Sequence, residues 1–278
     1  MNIPSVPAVL DGYPVLHQML TIDRKALRAL PEKERDQILR EGAQALQTME
    51  AREGGNSALF HLLGHKGDLL LVHFRESFDE LAQTELDLAK LPLFDYLTPS
   101  HSYLSIIELG MYDFTVRTSK ELIEQGLEPG SEEFNKLYNE KLTQSGNAMK
   151  MRLFPKIPDN RYLCFYPMNK RRGEDKNWYM KSTEKRAAMM VEHGTIGRKY
   201  AGRVRQIISG SIGYDDWEWG VDLFSNESGV FKELVYEMRF DKASALYGEF
   251  GQFFLGVRVP SAQLADVYNG NLPELPSA

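Results

Sequence analysis

The sequence predicts an α+β fold: two ferredoxin-like β-α-β-β-α-β units whose antiparallel sheets pack into a barrel, the dimeric α+β barrel arrangement. Three observations predict it. Apolar runs of strand length alternate with periodic, capped helical stretches. The order strand, helix, strand, strand, helix, strand occurs before residue 115 and again after residue 151. In each half, two strands flank a glycine-bearing turn, Gly64-His65-Lys66-Gly67-Asp68 and Gly213-Tyr214-Asp215-Asp216, which is a hairpin signal. The repeat is one of element order, not of residue identity. It divides the chain into an N-terminal unit 1–114, a helical connector 115–151 and a C-terminal unit 152–278. Sheets of this kind leave room for a cavity between sheet and helices.

The elements follow in order. Tyr13–Ile22 reads as a strand, and Pro31 opens a charged periodic helix to about Arg52, broken by Gly54-Gly55-Asn56. Ala58–Leu63 and Leu69–Phe74 are the first hairpin. Ser77 caps a helix through about Lys90, because its hydroxyl can accept a free N–H of the first turn. Tyr103–Leu109 is the next strand. The connector is polar, with breaks at Gly126, Pro129-Gly130 and Gly146. Ser131-Glu132-Glu133 opens one of one or two surface helices there, its acids favourably placed at the positive helix end. In the second half Arg161–Met168 is a strand and Ser182 caps a helix to about Tyr200. Val204–Ser211 and Trp217–Phe224 form the second hairpin. Gly229–Glu237 is helical, with a further turn near Ser244–Tyr247, and Phe250–Val257 is the last strand.

Composition narrows the function classes. The 278 residues carry 33 Lys and Arg against 39 Asp and Glu, a net charge of −6, which argues against nucleic acid as the main partner. The single cysteine, Cys164, excludes an internal disulfide and fits a reducing compartment. It reads as a small buried hydrophobe. No apolar run approaches the ~20 residues needed to span a bilayer. The N-terminus lacks the charged and apolar regions of a signal peptide, so a cytoplasmic location is expected. There is no Gly-x-Gly-x-x-Gly after a strand, no phosphate-cradling Gly-Lys-Ser/Thr loop, no Gly-x-Ser-x-Gly, no His-Glu-x-x-His and no Cys-x-x-Cys. Nucleotide, serine-hydrolase and zinc chemistries lose their usual signatures.

The most informative stretch is Tyr166-Pro167-Met168-Asn169-Lys170-Arg171-Arg172, directly after Tyr162-Leu163-Cys164-Phe165. Alternation puts Tyr166, Met168 and Lys170 on one face of an extended segment, about 6.6 Å apart. That face offers a phenol, an apolar contact and a cation. Pro167 has no N–H, which predicts an edge strand or a bulge. The same stretch also reads as a strand end followed by a solvated basic turn. His193 lies on its helix with Met189 and Met190 one turn before it and Ile196 and Gly197 one turn after. Such a face has room for a flat ligand and suits a proximal imidazole, or else a hydrogen-bonded core histidine. Its five fellow histidines, His17, His61, His65, His73 and His101, show no metal-ligand spacing. Gln206 falls at an inward position of its strand, where a neutral amide can bond a bound peroxide or make a local rim contact. Arg152, Arg239 and Ser244 are donors near element ends, and arginine is the natural partner of a carboxylate. Trp217 and Trp219 read as packing, and Asp215-Asp216 point apart in a turn and make no metal pair.

Tyr166–Arg172, Asn177-Trp178-Tyr179-Met180, His193-Gly194 with Gly197-Arg198, Gly210-Ser211 with Asp215–Trp219, and Leu234–Asp241 occur in that order. Together they resemble the coproheme decarboxylases of the chlorite dismutase-like superfamily, in the form found in Gram-positive bacteria. The match is dense over 152–256, and Ser102–Ser105 with Glu108-Leu109 matches more loosely. The resemblance implies peroxide-dependent oxidative decarboxylation of two propionates of iron coproporphyrin III (coproheme) to vinyls, giving haem b. The substrate then acts as its own cofactor. By the same resemblance His193 is the proximal iron ligand and Tyr166 the radical that takes hydrogen from the propionate β-carbon. Arg152, Lys170 and Ser244 contact propionates, Arg239 and Tyr112 are weaker propionate candidates, and Pro167, Met168, Asn169 and Gln206 line the cofactor. It also implies a homopentamer and a contact with the ferrochelatase that supplies coproheme. Gln206 stands where chlorite dismutases place an arginine, which disfavours chlorite turnover, and the connector is longer than typical. A haem carrier or sensor and a cofactor-free interaction protein are the competing readings.

Overall fold

A computed structural model of the chain describes residues 3–275. The N-terminal unit runs β1 (Val9–Ile22), α1 (Arg24–Ala29), α2 (Glu32–Glu50), β2 (Ser57–Leu62), β3 (Leu69–Phe74), α3 (Phe78–Ala89) and β4 (Leu97–Gly110). The connector holds α4 (Tyr112–Glu124), α5 (Glu132–Ala148) and α6 (Lys150–Leu153). The C-terminal unit runs β5 (Tyr162–Lys170), α7 (Thr183–Lys199), β6 (Arg205–Gly210), β7 (Trp219–Ser225), α8 (Val230–Met238), α9 (Lys242–Tyr247), β8 (Gly248–Phe250), β9 (Phe254–Val259) and α10 (Leu264–Tyr268). Ser77 and Ser131 cap α3 and α5 through their hydroxyls, as their positions predict. Ser182 holds the cap position of α7 without a side-chain bond. The domain boundaries read from the sequence, 114/115 and 151/152, fall inside α4 and α6, and an irregular stretch, 154–161, joins α6 to β5.

All strand pairings are antiparallel, in the order β7-β6-β4-β1-β3-β2-β9-β5, and β5 also pairs with β7, which closes the ring. The two units meet along β4–β6 and β2–β9. Closure leaves no free edge on these eight strands, and β8 extends beside the far end of β5.

The expectation for Pro167 needs correction. β5 is not an edge strand: it carries β7 on one side and β9 then β8 on the other. The break is on the β8–β9 side, where Phe165 pairs with Phe254 and Met168 with Phe250, so the two registers do not join. The carbonyl of Pro167 accepts the Gly251 N–H at 2.8 Å. Its missing donor therefore faces this irregularity, where no ladder bond is needed. The same break splits the predicted last strand, Phe250–Val257, into β8 and β9.

The barrel interior is a packed core. Met19, Phe60, Phe74, Tyr103, Phe165, Phe224 and Phe254 meet inside it, all buried. Gly220 faces inward, and a Cβ there would stand 2.6 Å from the Tyr103 ring. Two buried polar pairs cross this core: His17 Nε2 lies 2.9 Å from Asp222 Oδ1, with the imidazole stacked on Phe165 at 4.1 Å, and Ser105 Oγ donates to Ser209 Oγ at 2.8 Å. A ligand the size of a tetrapyrrole has no room there, so any large site lies outside the ring, under the helices. Helices α2 and α3 cover the N-terminal strands over a second apolar cluster. Helix α7 packs on α4, α8 and α9, and therefore has no single apolar face. Among the described residues no helix is long and apolar enough to cross a membrane.

Candidate active site

The outward faces of β5 and β7 carry Cys164, Tyr166, Met168, Val221 and Leu223 into an apolar compartment roofed by Ile196 of α7, Tyr200 just past its end, and Leu234 and Met238 of α8. Alternation along β5 does this: Leu163 and Phe165 go into the barrel, and their neighbours go to the helices. Tyr166 is the floor of the compartment. It is buried, its ring stacks on Phe253 at 4.4 Å and lies 5.9 Å from Phe250. Burial pushes its phenol above the usual tyrosine range, against a smaller opposing pull from the Arg239 cation. A phenol in this setting stays protonated, so oxidation must remove a proton with the electron.

His193 sits one helical turn before Ile196, half-buried. Its Nδ1 lies 2.9 Å from Oδ2 of Asp241, whose side chain is fully buried. Asp241 is itself fixed as the cap of α9, accepting the Ser244 N–H at 2.9 Å. Burial pushes Asp241 up, but the bonds from His193 and the Ser244 backbone outweigh it and hold the carboxyl below its usual range. The ionised carboxylate thus fixes Nδ1 as the protonated nitrogen and leaves Nε2 as the lone-pair donor, with no partner among the described residues. Four residues on, Gly197 opens a cradle: a Cβ there would meet Met238 Cε at 3.3 Å and Gln206 Oε1 at 4.0 Å. Among the described residues no three His, Cys, Asp or Glu side chains gather around one metal point. A single imidazole with Nε2 unpartnered among the described residues, beside an apolar layer, fits a metal that arrives with its other ligands in a macrocycle. Sequence reasoning missed Asp241 as a site residue, although it stands in the quoted Leu234–Asp241 motif. Its link to His193 spans 48 positions and no local pattern encodes it.

The remaining candidates separate into groups. Met168 joins Tyr166 on the compartment side. Arg239 is exposed at the end of α8, with its guanidinium 4.8 Å from the Phe250 ring. Gln206 needs a correction: Ile207 points into the barrel, so Gln206 faces the helices near Gly197 and is exposed. Lys170 is buried, with Nζ donating to Ala243 O at 3.1 Å and lying 5.0 Å from the centre of the Trp178 ring. Burial lowers it to about 8, partly offset by Asp241 and Glu218. Tyr112 packs edge-on to Trp178 at 6.1 Å, next to Met189 and Met190.

Four candidates stand apart from the cofactor face. Asn169 points the other way and accepts the Glu218 N–H at 2.7 Å, while Glu218 in turn accepts the Lys170 N–H, so the pair clasps the strand end. Pro167 packs toward Trp217 and Gly251. Ser244 gives its only hydrogen to Asp241 Oδ2 at 3.1 Å and lies 3.4 Å from His193 Nδ1, which makes it a support of that pair. Arg152 is exposed on α6, a helix packed on β1 and β4, and its side chain makes no hydrogen bond or ion pair among the described residues.

The chain is 42% identical over 258 residues to a protein named coproheme decarboxylase from Staphylococcus carnosus (strain TM300), covering 92% of this chain and 95% of the relative. It is 41% identical over 273 residues to another of that name from Staphylococcus saprophyticus, covering 96% and 99%. A structure described as a heme-binding protein from Thermus thermophilus superposes with a TM-score of 0.79 at 37% identity, over 97% of this chain and all of that one. Chlorite dismutase from Candidatus Nitrospira defluvii shares the fold at 17% identity, with a TM-score of 0.68 over 93% of this chain and 95% of that one. The model of the family described as chlorite dismutase matches residues 35–259. With that match and near full-length relatives, the chain belongs to the chlorite dismutase family.

Proposed function

We propose that this chain is a coproheme decarboxylase, an enzyme of haem biosynthesis that converts iron coproporphyrin III to haem b with hydrogen peroxide as oxidant. One observation supports the reading: His193 is tied to Asp241 through Nδ1, has no partner at Nε2 among the described residues, and stands one helical turn before Ile196, which packs in the cluster that holds the oxidisable ring of Tyr166. The two relatives named coproheme decarboxylase support the reaction.

The bound iron porphyrin supplies the oxidising power, and the protein supplies orientation and proton handling. His193 ligates through Nε2 while Asp241 holds its tautomer, and Ser244 holds Asp241. Tyr166 gives up an electron and its phenolic proton, then recovers a hydrogen from the propionate β-carbon. A second one-electron loss from that arm releases carbon dioxide and leaves a vinyl group. Per propionate, two electrons and the released proton balance one peroxide reduced to two waters once one further proton is taken up. A proton-coupled donor suits this role because the step creates no buried charge.

Four propionates need cations. Arg239 stands beside Phe250 at the Tyr166 end. Lys170 spends one of its three N–H donors on Ala243 and keeps two for a carboxylate. The family resemblance adds Arg152 as a third, although it stands on α6 apart from the face that carries Tyr166. Met168 packs on the macrocycle. Gln206 offers a neutral amide to peroxide on the opposite side from His193, which favours peroxide over an oxyanion such as chlorite. The family resemblance supports a cytoplasmic homopentamer that receives coproheme from a ferrochelatase. To test the function, the purified protein is loaded with iron coproporphyrin III, titrated with peroxide, and the porphyrin followed by mass. Successive loss of two carbon dioxide units is expected, and an unchanged porphyrin mass would overturn the reading.

A further inference from the structure

Trp178 is the largest fully buried side chain of the protein among the described residues. It packs with Ala243 and Tyr247 and against Met189 and Met190, one helical turn before His193. An indole so close to an oxidising centre competes with Tyr166 as the electron source. Two features handicap it. The group its Nε1–H faces is the Tyr112 phenol, which is no base because burial raises it. Oxidation of Trp178 therefore leaves its proton in place and creates a radical cation. Above its face, 5.0 Å from the ring centre, stands the ammonium of Lys170, itself only 8% exposed and pinned to Ala243 O. A fixed positive charge in a poorly solvated site opposes formation of another beside it.

Tyr166 differs in kind. Its oxidation expels electron and proton together, so no net charge appears and a neighbouring cation has little leverage. We propose that Lys170 is an electrostatic guard of Trp178, and that its charge, with an indole N–H that faces no base, directs one-electron oxidation to Tyr166. This makes Lys170 a specificity-determining residue for the site of oxidation, besides any contact it makes with substrate. The inference rests on the decarboxylase reading above. In the guarded protein, Tyr166 supplies one electron and one proton to the peroxide oxygen that leaves as water. Without the guard, Trp178 loses one electron to the peroxide-oxidised porphyrin iron. A second one-electron loss to the same oxidant, with addition of water and release of two protons to solvent, gives hydroxytryptophan, so that one tryptophan and one peroxide become one hydroxytryptophan and one water.

The test compares wild type, Lys170→Gln and Lys170→Arg, each loaded with iron coproporphyrin III and given equal peroxide. Oxygen addition at Trp178 is read by peptide mass. Lys170→Gln is expected to show about tenfold more Trp178 oxidation than wild type. Lys170→Arg, which keeps the charge, is expected to stay at the wild-type level. A Lys170→Gln protein whose Trp178 stays intact overturns the guard, as does one equally oxidised without porphyrin, because loosened packing then explains the damage. If Lys170→Gln does not load, Lys170→Met, which keeps the stem, is compared with wild type in the porphyrin-free state by reaction with azidyl radical. Unchanged Trp178 reactivity there also overturns the guard. Wild type that binds porphyrin but never decarboxylates it sinks the functional reading. Wild type that decarboxylates normally while Trp178 ignores the charge at 170 sinks only the guard.

Discussion

The imidazole Nδ1 of His193 and the carboxylate Oδ2 of Asp241 stand 2.9 Å apart, and Asp241 also caps α9 through the Ser244 N–H. One buried carboxylate thus orients the metal-ligand candidate and starts a helix. The chemistry of the site and the fold of the C-terminal unit are joined at this atom pair.

Asp241→Asn separates the two duties. The amide still caps α9 but offers His193 a neutral acceptor, which makes Nε2 a poorer donor. Iron coproporphyrin III affinity, followed by absorption titration, is expected to fall about tenfold or more with circular dichroism unchanged. Asp241→Ala is expected to lose about 1 kcal/mol of unfolding stability as well, from the lost cap.

Tyr166→Phe removes one oxygen from a stacked, buried ring that makes no hydrogen bond among the described residues. Stability in urea is expected to change by under ~0.5 kcal/mol. Porphyrin binding should persist while carbon dioxide release stops. Decarboxylation at the wild-type rate would remove Tyr166 from the chemistry.

Gly197 tests the cradle. A Cβ there meets only the far end of Met238 at 3.3 Å, with Gln206 Oε1 at 4.0 Å, so Gly197→Ala is expected to fold and bind. Gly197→Leu puts a branched chain where the proposed flat ligand would lie. It is expected to fold with an unchanged thermal midpoint, within a few degrees, and to lose most of its porphyrin affinity by absorption titration.

His73 sets an acid limit on stability. It is fully buried on β3, bonded to Ser57 Oγ at 2.7 Å with its Nε2 unpartnered. Burial, with the Arg75 charge, lowers it to about 3. Between the unfolded value near 6.5 and that folded value, the unfolded chain binds a proton that the native one refuses, so stability falls as pH falls. From pH 7 to 5 this group alone is expected to cost about 2 kcal/mol, read from urea midpoints. His73→Gln should flatten that part of the profile.

Much of the fold was legible because its signals are local. Both hairpins and the Ser77 and Ser131 caps lie where residue type and spacing put them, since a turn or a cap is decided within a few residues. The short helix α1 was missed; its cap, the Asp23 carboxylate accepting the Ala26 N–H, has no periodic run behind it. Pro167 announced an irregularity but not its place, because an absent N–H says nothing about which strand lies on that side.

The residues alone determined the two-unit element order, the outward-facing ladder of Tyr166 and Met168, and the family motifs around His193. Tertiary structure decided what those groups touch. Ring closure fills the interior with packed side chains and leaves no room there for a large ligand. Asp241 meets His193 across 48 positions, Lys170 comes to rest on Trp178, and Asn169 and Ser244 spend their polar atoms on the scaffold. Periodicity fixes the side of an element on which a residue stands, whereas its partners depend on how distant elements pack, which no window of sequence contains.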